Sequence, residues 1–128
     1  MEKIVEQGLL YDFYGELLTE HQRKLYEEAV YNDMSLSEIA EEYGISRQGV
    51  HDLLKRCDSI LKGYEAKLHL VAKFNDTKEK LNQINQLAQE STSMGEQQCR
   101  EQIRKIQQIS NHLIENFFNY RLSQTIFR

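Results

Sequence analysis

Five polar residues lie close together in the middle of the chain: Ser46, Arg47, Gln48, His51 and Lys55. Arginine and glutamine near the start of a helix present hydrogen-bond donors that suit base edges in a DNA groove. A lysine further along the same helix suits a phosphate, and a serine just before the helix can cap its first turn. These five residues are the candidate nucleic-acid-binding site.

If this segment is helical, it has two chemically distinct sides. At about 100° per residue, Arg47, His51 and Lys55 fall within about 80° of one another, and Gln48 lies at about 100° from Arg47. The opposite side carries the apolar residues Val50, Leu53, Leu54 and Cys57. Asp58 also falls on the donor-rich side, where we expect it to weaken the positive patch slightly.

The residues before this helix predict a helix-turn-helix motif over 35–57. A short helix is expected from Leu36 to Tyr43, and the small Ala40 allows the second helix to cross closely. Gly44 permits a left-handed turn, and Ile45 fills the gap between the two helices. Two helices joined by so short a turn are typical of DNA-binding proteins.

The charge distribution leaves a second interpretation open. Residues 1–43 contain 11 acidic and 3 basic residues, whereas residues 44–80 contain 8 basic and 5 acidic ones. The excess of basic over acidic residues therefore begins near the predicted turn, as expected for a surface that faces a polyanion. The net charge of −4 instead favours a packing or protein-docking module whose Arg47 and Lys55 are merely solvated.

Apolar spacing predicts helices along the rest of the chain. The first runs from about Lys3 to Leu18, and Thr19 with Gln22 forms a capping box for the second. A regular apolar seam predicts one continuous helix from Ser46 to about Phe74, consisting of Val50, Leu54, Cys57, Leu61, Tyr64, Leu68 and Val71. Asn75 and Asp76 are expected to end it. Two more helices follow, separated by a loop at residues 91–95.

The division that these patterns predict is a helix-turn-helix domain at 1–58 and a helical extension at 59–128. The final helix has apolar residues on more than one side, namely Ile103, Ile106, Ile109, Leu113, Ile114, Phe117, Phe118 and Tyr120. One copy supplies too few partners for these faces, and soluble monomers rarely expose large apolar patches. We therefore expect a homodimer built from residues 58–128.

Several classes of function are disfavoured. The four histidines and two cysteines show no metal-ligand spacing, and the chain has no phosphate-binding glycine loop, so we expect no catalytic residues, metal or cofactor. Cys57 and Cys99 are expected to be reduced thiols, with Cys57 buried. Charges interrupt the first ten residues, and no segment is apolar enough to cross a membrane. A cytoplasmic location is expected.

Two stretches of this sequence resemble region 4 of bacterial sigma factors. One runs from Leu18 to Tyr26 and includes Thr19, Gln22 and Arg23; the other runs from Ser35 to Val50. Together with residues 10–14 and 64–68, they resemble still more closely the small YlxM-type helix-turn-helix proteins of Gram-positive bacteria. The resemblance covers roughly residues 9–88, and residues 95–128 are expected to extend past it.

The resemblance implies an all-α fold: a sigma region 4-like helix-turn-helix of the winged-helix-like superfamily with a long helical C-terminal extension. It also implies a regulator of the signal recognition particle pathway that binds duplex DNA. The alternative is an accessory factor that contacts protein components of the particle, or RNA, without sequence-specific DNA binding.

Overall fold

The computed structural model describes the backbone of residues 3–126 and the side chains of residues 3–116. The helices are α1 (Lys3–Tyr14), α2 (Glu20–Val30), α3 (Leu36–Tyr43), α4 (Arg47–Leu68), α5 (Leu70–Ser91) and α6 (Glu96–Ile126), and a 3-10 turn follows α1 at Gly15–Leu17. No strand occurs within residues 3–126. The predicted all-α fold is confirmed. Phe117, Phe118 and Tyr120, which were expected on the apolar faces of α6, lie outside the described side chains.

Side-chain caps define the starts of α2 and α3, as their sequences predict. The Thr19 hydroxyl accepts from the Gln22 backbone N–H, and the Gln22 side chain accepts in return from the Thr19 N–H. Ser35 and Glu38 form the same reciprocal pair at the start of α3. Each capping box satisfies two N–H groups that have no partner within the helix.

Gly44 ends α3 in the left-handed conformation, with φ at 67° and ψ at 31°. Its N–H donates to the Ala40 carbonyl, and the Ile45 N–H donates to the same carbonyl at 3.1 Å. A residue with a Cβ atom is strained at this φ, so the glycine is what lets the chain turn from α3 into α4 after so few residues. The predicted turn is confirmed.

The buried side chains form two clusters that share α4. The smaller cluster holds the helix-turn-helix together and consists of Leu25, Ile39 and Val50, with Ala40, Tyr43 and Ile45 packed against it. The larger cluster joins α1 and α2 to the second half of α4 and consists of Leu10, Tyr14, Leu18, Tyr26, Cys57, Leu61 and Val71. The predicted burial of Cys57 is confirmed, and both cysteines are free thiols.

The prediction of one continuous helix from Ser46 to about Phe74 is wrong. The first helix, α4, ends at Leu68, and His69 adopts the left-handed conformation with φ at 57° before α5 begins at Leu70. The break does not occur at Gly63, which lies within α4. The predicted end at Asn75 and Asp76 is also wrong, because α5 continues through both residues to Ser91.

Two side chains explain why the chain breaks at His69. The Glu65 carboxylate accepts from the backbone N–H groups of Val71 at 2.9 Å and Ala72 at 3.0 Å, which caps the start of α5. The Tyr14 hydroxyl donates to Glu65 at 2.6 Å and accepts from the Leu70 N–H at 3.1 Å. We call these four hydrogen bonds the Glu65 junction. It supplies partners for N–H groups that would otherwise bond within a continuous helix.

The chain divides into two compact units, Met1–Ala72 and Lys73–Arg128. This boundary lies later than the one after residue 58 that the motif predicted, because Leu61 and Val71 belong to the larger cluster of the first unit. In the second unit, the last part of α5 contacts α6: the Cys99 thiol donates to the Ser91 carbonyl at 3.1 Å, and the buried Gln102 amide donates to Glu90 at 3.2 Å.

Candidate nucleic-acid interface

The first turns of α4 are held by an N-cap at their start and by buried apolar contacts along one side. The Ser46 hydroxyl accepts from the Gly49 N–H at 2.9 Å, so Ser46 is the N-cap of the helix, as predicted. Val50 is fully buried against Leu25 and Ile39. Because these contacts hold one side of the first turns, the opposite side is presented to solvent.

All five predicted site residues lie on this exposed first half of α4. Ser46, Arg47, Gln48, His51 and Lys55 are each exposed to solvent. Neither Arg47 nor Lys55 forms an ion pair among the side chains of residues 3–116. The structure thus brings the predicted donors together on one accessible surface. Whether they contact nucleic acid remains a prediction.

Asp52 is a further residue of this surface that the sequence pattern did not single out. The Gln48 amide donates to its Oδ1 atom at 3.0 Å, and the Nδ1 atom of His51 lies 3.5 Å from the same oxygen. Residues four apart face each other on a helix, so the Gln48–Asp52 spacing could have indicated the first contact. In the free protein, the Gln48 amide, which the sequence assigned to a base edge, is therefore hydrogen-bonded to the Asp52 carboxylate.

The Asp58 carboxylate does not lie on the positive surface, where the sequence placed it. It turns toward α1 and α2, where it accepts from the Tyr26 hydroxyl at 2.8 Å and from the Gln7 amide at 3.1 and 3.2 Å. Burial of the ring, and then the hydrogen bond to Asp58, raise the pKa of Tyr26. Viewed down the axis of α4, Asp58 lies at nearly the same angle as Arg47, but α1 covers this side of the helix where Asp58 lies.

Other tyrosine–carboxylate contacts hold α1 in place. The Tyr31 hydroxyl donates to Asp12 at 2.8 Å, and the Tyr11 hydroxyl donates to Glu27. Burial and then the Asp12 hydrogen bond raise the pKa of Tyr31 to about 12. The rings of Tyr11 and Tyr26 also stack, with centroids 5.6 Å apart. These contacts join residues distant in sequence, and no local pattern could have indicated their partners.

Among the described residues, no group of three or more histidine, cysteine, aspartate or glutamate side chains is placed to hold a metal ion. In the same part of the chain, no helix combines the length and the apolar character that crossing a membrane requires.

The motif geometry agrees with comparisons to known proteins. A family described as "Putative helix-turn-helix protein, YlxM / p13 like" matches residues 1–115. The chain belongs to this family. The family match confirms the resemblance seen in the sequence and extends further than the expected residues 9–88, since it includes much of α6. The expectation that residues 95–128 lie wholly outside the family pattern is therefore wrong.

Bacterial relatives support the same assignment. The chain is 44% identical to the UPF0122 protein YlxM of Bacillus subtilis over 88 residues, which are 69% of this chain and 80% of the relative. It is 45% identical to a UPF0122 protein of Halalkalibacterium halodurans over 67% of this chain and 79% of the relative. A relative from Caldanaerobacter subterraneus is 51% identical over 61% of this chain and 67% of its own length.

Proposed function

We propose that this chain is a non-enzymatic, cytoplasmic regulator that binds duplex DNA through the first half of α4. The observation that supports this function is the exposed group of donors at Arg47, Gln48 and Lys55, opposite the buried Val50 on the same helix. In helix-turn-helix proteins the second helix enters the major groove through its N-terminal residues. Membership of a helix-turn-helix family agrees with this role.

Binding to duplex DNA at several salt concentrations tests this function. Phosphate contacts release counterions, so the affinity should fall steeply as salt rises. Arg47→Ala or Gln48→Ala should weaken binding to a selected site by about 1–3 kcal/mol if the side chain contacts a base, whereas Lys55→Ala should weaken binding to all duplexes alike. Three variants that bind as the wild type does would show that this surface is not the interface.

We further propose that the protein acts as a homodimer assembled through residues 58–128. Large apolar side chains of the second unit are exposed in a single copy, among them Leu81 at 54%, Ile103 at 59% and Ile114 at 64%. A two-fold dimer would cover such faces and place two recognition helices about one duplex turn apart, about 34 Å. Light scattering at micromolar concentration should give twice the mass of one chain, and a 15.2 kDa particle would refute the dimer.

A second function is favoured by the acidity of the first unit. Residues 1–72 contain 14 acidic and 8 basic residues, and Asp52 lies among the predicted base-contacting side chains. These charges suit an accessory factor that contacts protein or RNA. We propose that such a factor, like the regulator, would act in the signal recognition particle pathway, as the family resemblance implies. The salt titration separates the two functions, because the absence of duplex binding at low salt would favour the accessory factor.

A further inference from the structure

The exposed surface of α4 continues well beyond the predicted site. After Lys55 the helix runs for more than three further turns to Leu68. A continuous set of residues in this second half is open to solvent, and it consists of Arg56, Ser59, Lys62, Gly63, Ala66 and Lys67. The helix-turn-helix motif ends before most of them, so the motif alone assigns them no role.

Two of the three acidic residues of α4 are turned away from this surface by the fold. The helix contains three acidic residues: Asp52, Asp58 and Glu65. Asp58 is turned inward under the Tyr26 hydroxyl, and Glu65 is used in the Glu65 junction. Asp52 remains exposed about one turn before Arg56, but from Ser59 to Lys67 the charged side chains that α4 exposes are all basic.

The basic residues of this half are not neutralised elsewhere. Arg56, Lys62 and Lys67 form no ion pair among the side chains that the structure describes. Between them lie the small residues Ser59, Gly63 and Ala66. Small side chains between long basic ones allow a large polyanion to approach the helix backbone while the basic groups reach around it.

We propose that residues 56–67 of α4 form a second, sequence-independent contact surface for the phosphate backbone of duplex DNA. This inference rests on the proposed function, since it extends the same interface. From Arg47 to Lys67 the helix spans about 30 Å, whereas the major groove is about 12 Å wide. A straight helix whose first turns lie in the groove must leave it within its length, and its second half then passes the sugar-phosphate backbone.

The salt dependence of binding to a generic duplex measures this contact directly. The slope of log Kd against log salt reflects the number of phosphates that the protein neutralises, with about 0.9 per phosphate. The double variant Lys62→Gln/Lys67→Gln should therefore reduce the slope by about 1.8. The matched control Lys3→Gln/Lys24→Gln removes the same charge from exposed positions of α1 and α2 and should leave the slope near that of the wild type.

The possible results separate this inference from the function on which it rests. A wild-type protein that binds with a steep slope, together with an unchanged slope in Lys62→Gln/Lys67→Gln, would overturn the second contact surface and leave the recognition helix in place. Equal reductions in the double variant and its control would also overturn it, because the effect would then come from net charge. A wild-type protein without salt-dependent binding would overturn the proposed function itself.

Discussion

The Glu65 junction should be the most sensitive point of the first unit outside its apolar core. Glu65→Gln keeps the size of the side chain but replaces one acceptor oxygen with an NH₂ group. In the wild type, the two carboxylate oxygens accept from the Val71 and Ala72 N–H groups and from the Tyr14 hydroxyl. The substituted amide can accept through only one atom and places a donor against at least one of these donors.

The size of the effect follows from those contacts. A hydrogen bond to a charged group contributes about 1.5–3 kcal/mol, and loss of one partner leaves another group unsatisfied. Glu65 is only half-buried, so water replaces part of what is lost. We expect the free energy of unfolding to fall by about 2 kcal/mol in Glu65→Gln.

The pH dependence has a definite sign. Burial alone would raise the pKa of Glu65, but hydrogen bonds from Tyr14, Val71 and Ala72 outweigh it and lower the pKa below its ordinary value of 4.5. A carboxylate with a lowered pKa stabilises the fold fully above its unfolded pKa and loses that contribution as pH falls through the folded pKa. The difference between wild type and Glu65→Gln should hold from neutral pH to about 5 and shrink below about 4.5.

Urea unfolding followed by circular dichroism measures both effects. Glu16→Gln is the matched control, since Glu16 is exposed, and should change stability by less than about 0.5 kcal/mol. A double-mutant cycle with Tyr14→Phe should give a coupling energy of about 1 kcal/mol or more, because the two side chains share a hydrogen bond. If Glu65→Gln unfolds like its control at neutral pH, the junction contributes nothing to stability and the reasoning is refuted.

Three further outcomes follow from the structure. Gly44→Val should lower the free energy of unfolding by more than about 1 kcal/mol because φ is 67°, and a wild-type urea midpoint would contradict this. His69→Gly should raise the stability by about 1 kcal/mol at most by relieving the left-handed residue, whereas a lower midpoint would show that the His69 side chain stabilises the junction. Cys57 should react with a thiol reagent more slowly than Cys99 at pH 8, since burial and then Asp58 raise its pKa to about 11, and equal rates would count against its burial.

The local elements of the motif could be predicted from the sequence because their causes are local. The caps at Thr19 and Ser35 and the turn at Gly44 each depend on residues within a few positions of one another. The break at His69 has a distant cause, since Tyr14 contacts Glu65 across 51 positions of sequence. The apolar seam continues in register across the break, from Leu61 to Val71, so its spacing gave no sign of two helices.

The surface of α4 shows why a helical projection alone misplaced the Asp58 side chain. Arg47, Asp58 and Glu65 fall within about 20° of one another around the helix axis. Arg47 is exposed, whereas the contacts of Asp58 with Gln7 and of Glu65 with Tyr14 show that α1 lies over this line further along. The same angular position around α4 therefore faces solvent at the start of the helix and faces α1 in its second half.

The net charge of −4 is a poor guide to the exposed surface of α4, because two of its acidic side chains are turned inward in this way. The net charge therefore loses much of its force as an argument against nucleic-acid binding.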